Sequence, residues 1–244
     1  MNENGTDDRT YGISGLATLS AARGSVVVST DGRVTSYAIR PSPQRSFFQV
    51  QSLDTAGAVD LVFATRAYDA VRNCRGSVLP FDDPEPRSVM ATSAGNQTLV
   101  AAWWPASGFC LVRLDSQGSL DDTFAVGGRR GIRYDELPSS LAAPVALLVR
   151  ADDQIVVVMA PTTRSAPVMV PAVLVFTKNG NLDSVTTKPD GIPSFMNAAA
   201  LQSNSKLVSV GSPASESAAI DRAGRILVAG SAISTNQPAI LRFR

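Results

Sequence analysis

Short apolar runs alternate along this chain with clusters of glycine, proline, serine and aspartate. Ile155 to Met159, Leu99 to Ala102 and Ile226 to Ala229 are each uninterrupted. Runs this short, bounded by turn residues, predict strands buried on both faces. A second apolar stretch follows in two of these places, Phe109 to Leu114 and Pro171 to Phe176, and predicts the neighbouring strand. The turn after it carries Asp three residues before Gly, as in Asp115 to Gly118 and Asp54 to Gly57. A short acidic side chain can bond the backbone two residues on, and glycine takes positive φ at no steric cost. No strong helical period is present, and Met196 to Gln202 alone predicts one or two helical turns. Pro161 to Pro167, Lys188 to Pro193 and Asp82 to Pro86 read as proline-bearing loops.

The pattern repeats. Leu114-Asp115-Ser116-Gln117-Gly118-Ser119-Leu120-Asp121-Asp122-Thr123-Phe124 has relatives at Leu53 to Phe63 and at Phe176 to Asp183, with glycines spaced 61 and 62 residues apart. A second phrase, a tight turn entering an apolar strand, precedes each copy. It is clearest at Ala219 to Gly230 and weaker at Val149 to Val158, Ala94 to Ala101 and Ser29 to Val34. Four openings of a repeat follow. A period of this size, filled with short strands, predicts an all-β fold and a β-propeller built from four repeats of about 60 residues.

The fourth opening runs through Pro238 to Arg244 and stops where its glycine turn should come, while Asn4 to Gly15 lines up with Gln117 to Gly128. The expectation is a single domain over residues 1–244. Its repeats fall near 16–75, 76–135, 136–200 and 201–244 plus 1–15, and the last blade is closed by N- and C-terminal strands. Such closure removes free sheet edges. The alternative is two chains exchanging terminal strands to form one eight-bladed ring.

Composition narrows the partners. The chain of 244 residues is 44% hydrophobic, enough for a substantial core, and its 22 basic against 21 acidic residues leave a net charge of +1. There is no basic footprint for nucleic acid, and no apolar stretch long enough to predict membrane insertion. Met1 to Asp8 has no leader pattern. A start in the middle of a repeat predicts a longer gene product from which a leader is missing. Cys74 and Cys110 are the two cysteines, and their spacing leaves open a disulfide or two separate thiols.

Asp221-Arg222-Ala223-Gly224-Arg225-Ile226-Leu227-Val228-Ala229-Gly230, together with Leu114 to Phe124, resembles the bacterial delta-60 repeat family. The likeness is specific in the second and fourth repeats and eroded in the first and in the second half of the third, where Thr186 replaces the expected aromatic. The resemblance implies a β-propeller-like domain of surface or secreted bacterial proteins, usually without an assigned activity. The expected location is therefore extracellular, cell-surface or periplasmic. No catalytic residues come with it.

Candidate chemistry is sparse. The chain has no histidine, which removes Ser-His-Asp and Cys-His mechanisms and His-ligated metals. Ser203-Asn204-Ser205-Lys206 fits Ser-x-x-Lys, but the accompanying Ser-Asp-Asn and Lys-Thr-Gly elements are absent. Acidic doublets occur at Asp7 and Asp8, Asp82 and Asp83, Asp121 and Asp122, and Asp152 and Asp153. Two carboxylates facing one cavity can run glycoside hydrolysis. Phe81-Asp82-Asp83-Pro84-Glu85 stands out because it falls outside the repeat. Asp115 and Asp121 offer hard oxygen ligands for a weak Ca²⁺ site, the single cofactor considered, with a structural turn as the simpler reading. Trp103-Trp104 is either core packing or a sugar-stacking platform. Arg129 and Arg130, with Arg133, form either a solvated rim or an anion-binding cluster.

These features lead to a non-enzymatic secreted or surface binding and scaffold module, presenting loops on a rigid β ring to a protein or glycan ligand, as a monomer or homodimer. The alternatives are a carboxylate-dependent glycan-active hydrolase and a self-assembly element.

Overall fold

The structure is a computed structural model and describes residues 8–17, 24–40, 47–72, 87–93, 95–104, 108–133, 141–161, 172–186, 209–210, 218–232 and 237–243. It is an all-β fold with one helix among those residues. The strands form four antiparallel sheets in chain order. The first holds β1 (Gly24–Val28), β2 (Val34–Arg40) and β3 (Phe47–Leu53), and is followed by α1 (Leu61–Arg72). The second is β4 (Arg87–Thr92), β5 (Thr98–Trp104), β6 (Gly108–Leu114) and β7 (Arg129–Ile132).

The third sheet is β8 (Leu141–Val149), β9 (Ile155–Pro161), β10 (Ala172–Phe176) and β11 (Leu182–Thr186). In the fourth, β12 (Ser209–Val210) and β13 (Ala218–Ile220) pair one edge of β14 (Ile226–Ala232), and β15 (Gln237–Phe243) pairs the other.

The uninterrupted apolar runs follow from how these sheets pack. Along β5, Leu99, Ala101 and Trp103 join a cluster shared with the third sheet, while Val100 and Ala102 join one shared with the first. Along β9, Ile155, Val157 and Met159 face the second sheet, and Val156 and Val158 face Ile226, Val228, Leu241 and Phe243 of the fourth. Successive side chains of a strand point to opposite faces, so a strand between two sheets must be apolar at every position. Three cores result, one at each junction between consecutive sheets.

The helix is not foreseen by the repeat. After the shared phrase, the second repeat has Gly127 and Gly128 at φ 57° and 81°, which turn the chain into β7. The first repeat reads Leu61-Val62-Phe63-Ala64-Thr65-Arg66-Ala67 there, without glycine. Phe63, Ala64 and Ala67 fall at helical spacing and are buried. Asp60 caps the helix through Phe63 N at 2.9 Å.

Expected closure of the last blade by both termini is not made among the described residues, and no sheet closes on itself there. Instead, Tyr11 and Gly12 dock on the turn of the first sheet, with Gly12 N donating to Ala56 O at 2.7 Å. Met196 to Gln202 and the three proline-bearing loops, apart from Pro161, lie outside the described residues. Cys110 is disulfide-bonded; Cys74, the only other cysteine in the sequence, lies outside the described residues.

Two measurements test these assignments. A Cβ at Gly118 would meet the Phe63 carbonyl oxygen at 2.7 Å, whereas one at Gly224 meets nothing within 4 Å; both sit at positive φ. Gly118→Ala is expected to cost more in a urea titration than the roughly 1–2 kcal/mol of left-handed strain at Gly224→Ala, and equal losses would show that the Phe63 approach is unimportant. Replacing Cys110 by serine removes its disulfide and is expected to cost about 2–5 kcal/mol; unchanged stability would refute the bond.

Candidate functional site

A polar group with several side-chain bonds is built at the junction of the second and third sheets. Arg113 projects from β6 and is 9% exposed. Its Nε donates to Asp121 Oδ2 at 2.8 Å, its Nη1 to Lys178 O at 2.7 Å and its Nη2 to Thr123 Oγ1 at 2.9 Å. Gln97 Nε2 also donates to Asp121 Oδ2, at 2.6 Å. The guanidinium lies 4.8 Å from the Phe124 ring centre, a cation–π distance. Phe124 in turn covers Gly180 of the next sheet's turn, where an added Cβ would meet its Cζ at 2.7 Å.

A related group joins the first repeat to the second. Arg33 pairs with Asp60 and lies 4.9 Å from the Phe63 ring centre, and Phe63 covers Gly118. The acid and aromatic hold equal places in the two repeats. The arginine does not: Arg33 comes from the β1–β2 turn and Arg113 from β6, which is why aligning the repeats overlooks it.

These acids are shifted. Burial pushes the Asp121 carboxyl up, but hydrogen bonds from Thr123 and the charge and hydrogen bond of Arg113 outweigh it and hold the pKa below the ordinary 3.8. For Asp60, the bond from Phe63 N is the main cause of lowering, opposed by burial and helped by Arg33. Asp121 therefore stabilises the fold above its unfolded-state pKa, and that contribution fades as pH falls through the lower folded-state value.

The residues singled out from sequence occupy separate places. Asp115 Oδ1 accepts from Gln117 N at 2.8 Å and Ser119 N at 2.9 Å, closing its own turn. With Asp121 committed to Arg113, the two carboxylates considered for Ca²⁺ serve the turn and the junction. No group of three metal-ligating acids or cysteines gathers among the described residues. Trp103 is 8% exposed in the core between the second and third sheets, so its ring is packing rather than a sugar platform. The Trp104 side chain lies outside the described residues.

Arg129 and Arg130 are half-buried neighbours on β7, and strand geometry turns adjacent side chains to opposite faces rather than into one anion site. Asp122, Asp152 and Asp153 are exposed. Asp7, Asp82, Asp83, Glu85 and Ser203 to Lys206 lie outside the described residues.

No family model and no curated relative matches the chain. Similar solved structures include an endo-arabinase from Bacteroides thetaiotaomicron VPI-5482, 10% identical over 90% of this chain and 73% of that one, with a TM-score of 0.45. A GH43 endo-arabinanase from Bacillus licheniformis is 12% identical over 89% and 71%, with a TM-score of 0.41. A thermostable family-43 glycoside hydrolase is 10% identical over 94% and 72%, with a TM-score of 0.42. These neighbours are glycoside-cleaving enzymes, which runs against the expectation of a non-enzymatic binding and scaffold module.

Asp121→Asn is expected to lose on the order of 3 kcal/mol at pH 7 by leaving Arg113 without its charge partner. The gap from the parent protein should narrow as pH drops below about 4. A constant gap across that range would show that the Asp121 charge is not what stabilises the junction.

Proposed function

We propose that this chain is a glycan-active hydrolase working by carboxylate chemistry on a propeller-type array of its four repeats. The observation that carries the reading is the stock of ionisable side chains. With no histidine in the sequence and Cys110 held in a disulfide, the general acids and bases that operate near neutral pH are carboxylates. Glycoside hydrolysis needs two of them. One protonates the departing glycosidic oxygen as its bond to the sugar carbon breaks. The other either activates a water, with the pair about 6.5–9.5 Å apart, or attacks that carbon itself, with the pair about 5–5.5 Å apart, and the glycosyl ester so formed is then cleaved by a water that the first carboxylate, now a base, deprotonates.

Within the chain, Asp54, Asp60, Asp115, Asp121 and Asp221 are taken up by turns, a helix cap and ion pairs. Asp82 and Asp83, which fall outside the repeat phrase in the sequence, are the proposed reacting pair, with Glu85 two residues further along the chain. The disulfide supports an oxidising compartment outside the cytoplasm, where glycan polymers are met. The delta-60 resemblance, carried by Leu114 to Phe124 and Asp221 to Gly230, is retained as part of this proposal.

Reducing-end release from a panel of polysaccharides that includes arabinan tests the reading. Asp82→Asn and Asp83→Asn are each expected to lower the rate by about 10²–10⁴-fold while leaving thermal unfolding unchanged. No release from any polymer, or release indifferent to both changes, would sink it.

A further inference from the structure

Each half of one further junction is present in the chain, at opposite ends of the sheet series. At the N-terminus, Asp8, Thr10 and Tyr11 have the spacing of Asp121, Thr123 and Phe124 and repeat their geometry. Thr10 N and Oγ1 donate to Asp8 Oδ1 at 3.0 and 2.5 Å; Thr123 N and Oγ1 donate to Asp121 Oδ1 at 3.0 and 2.6 Å. Tyr11 lies against Gly57 as Phe124 lies against Gly180. Gly12 N bonds Ala56 O at 2.7 Å as Ala125 N bonds Asn179 O at 2.9 Å. The acid, the threonine and the aromatic on the next glycine are in place. The arginine is missing, and the Asp8 side chain bonds only Thr10 among the described residues.

The arginine stands on the last strand. Arg242 pairs with Leu227 across β14 and β15 as Arg113 pairs with Leu99 across β5 and β6. Leu241 and Phe243 turn toward the third sheet, so Arg242 faces away from it, beside Ile240, which is 52% exposed. Its Nε is buried without a hydrogen-bond partner. Buried donors left unmet cost about 1–3 kcal/mol, more when charged.

We propose that a second copy of this chain completes the junction, with Arg242 of each copy reaching the partner's Asp8 and the carbonyl of the partner's Thr55, the position matching Lys178. Among the described residues the fold of one chain leaves both halves unmet, and their charges are complementary. A head-to-tail contact made twice by two copies closes on itself with two-fold symmetry. The surfaces that meet are the outer face of the first sheet, where Val26 and Val28 are 50% and 60% exposed and Gln51 is half-buried, and the outer face of the fourth sheet around Ile240. This mixture of apolar and polar side chains suits copies that also fold alone.

The test is a charge exchange read by sedimentation and native mass spectrometry, with circular dichroism melts to confirm folding. The parent chain is expected at twice the mass of one chain. Asp8→Arg and Arg242→Asp should each raise the dissociation constant by about 30-fold or more. Mixing the two variants should restore the dimer, because one contact is then native and the other is reversed in sign. Asp8→Arg lies in the N-terminal turn and carries the test by itself should Arg242→Asp weaken the fourth sheet. A parent chain of single mass, or an Asp8→Arg chain that still dimerises, overturns the proposal. So does a single-mass chain in which combining both substitutions restores the melting temperature that either one lowers, since closure then lies within one chain.

Discussion

An aromatic ring laid on the glycine of the next repeat's turn is the contact that orders this protein. Phe63 on Gly118 and Phe124 on Gly180 come close enough that even a methyl group would not fit. Glycine at these places meets two demands together: a backbone at φ near 80° and a flat surface for the ring. Each ring in turn supports an arginine whose charge is met by an aspartate of its own repeat. Sheets are thereby fixed to their successors at the turns as well as through the apolar cores.

The cores set the other constraint. A sheet between two sheets has no solvent face, so β9 and β10 are apolar along their whole length, β5 and β6 are apolar except at Thr98 and Arg113 near the turn ends, and polar groups are driven to the turns and the sheet ends. That explains why so many aspartates serve as caps. It also explains why a buried arginine such as Arg113 appears only where a carboxylate, a hydroxyl and a carbonyl all converge on it. Such a group is costly to leave half-satisfied and holds one arrangement of the two sheets against alternatives.

The same economy bears on function. Carboxylates bound to turns are unavailable for chemistry, and Trp103 is unavailable for stacking because its ring fills the core. In the proposed hydrolase, reactive capacity falls to acids that the repeat phrase does not use, while the repeat supplies the frame.

By itself the sequence determined the strand runs, the turns at Asp54, Asp115 and Asp221, and the order of the sheets, because all three depend on local periodicity and on turn chemistry written within a few residues. It also marked Tyr11 as the counterpart of Phe124. Tertiary structure decided the rest. The helix at Leu61–Arg72 arose because the first repeat lacks the two glycines that turn the second into β7, and its buried face needed a neighbouring sheet to pack against. Trp103 turned inward because β5 is buried on both faces, a matter of which sheet lies next to which. The disulfide at Cys110 and the ion pairs of Arg33 and Arg113 join residues far apart in the chain or at unequal places in the repeat. Distance and direction in space selected them, and neither is encoded in spacing along the sequence.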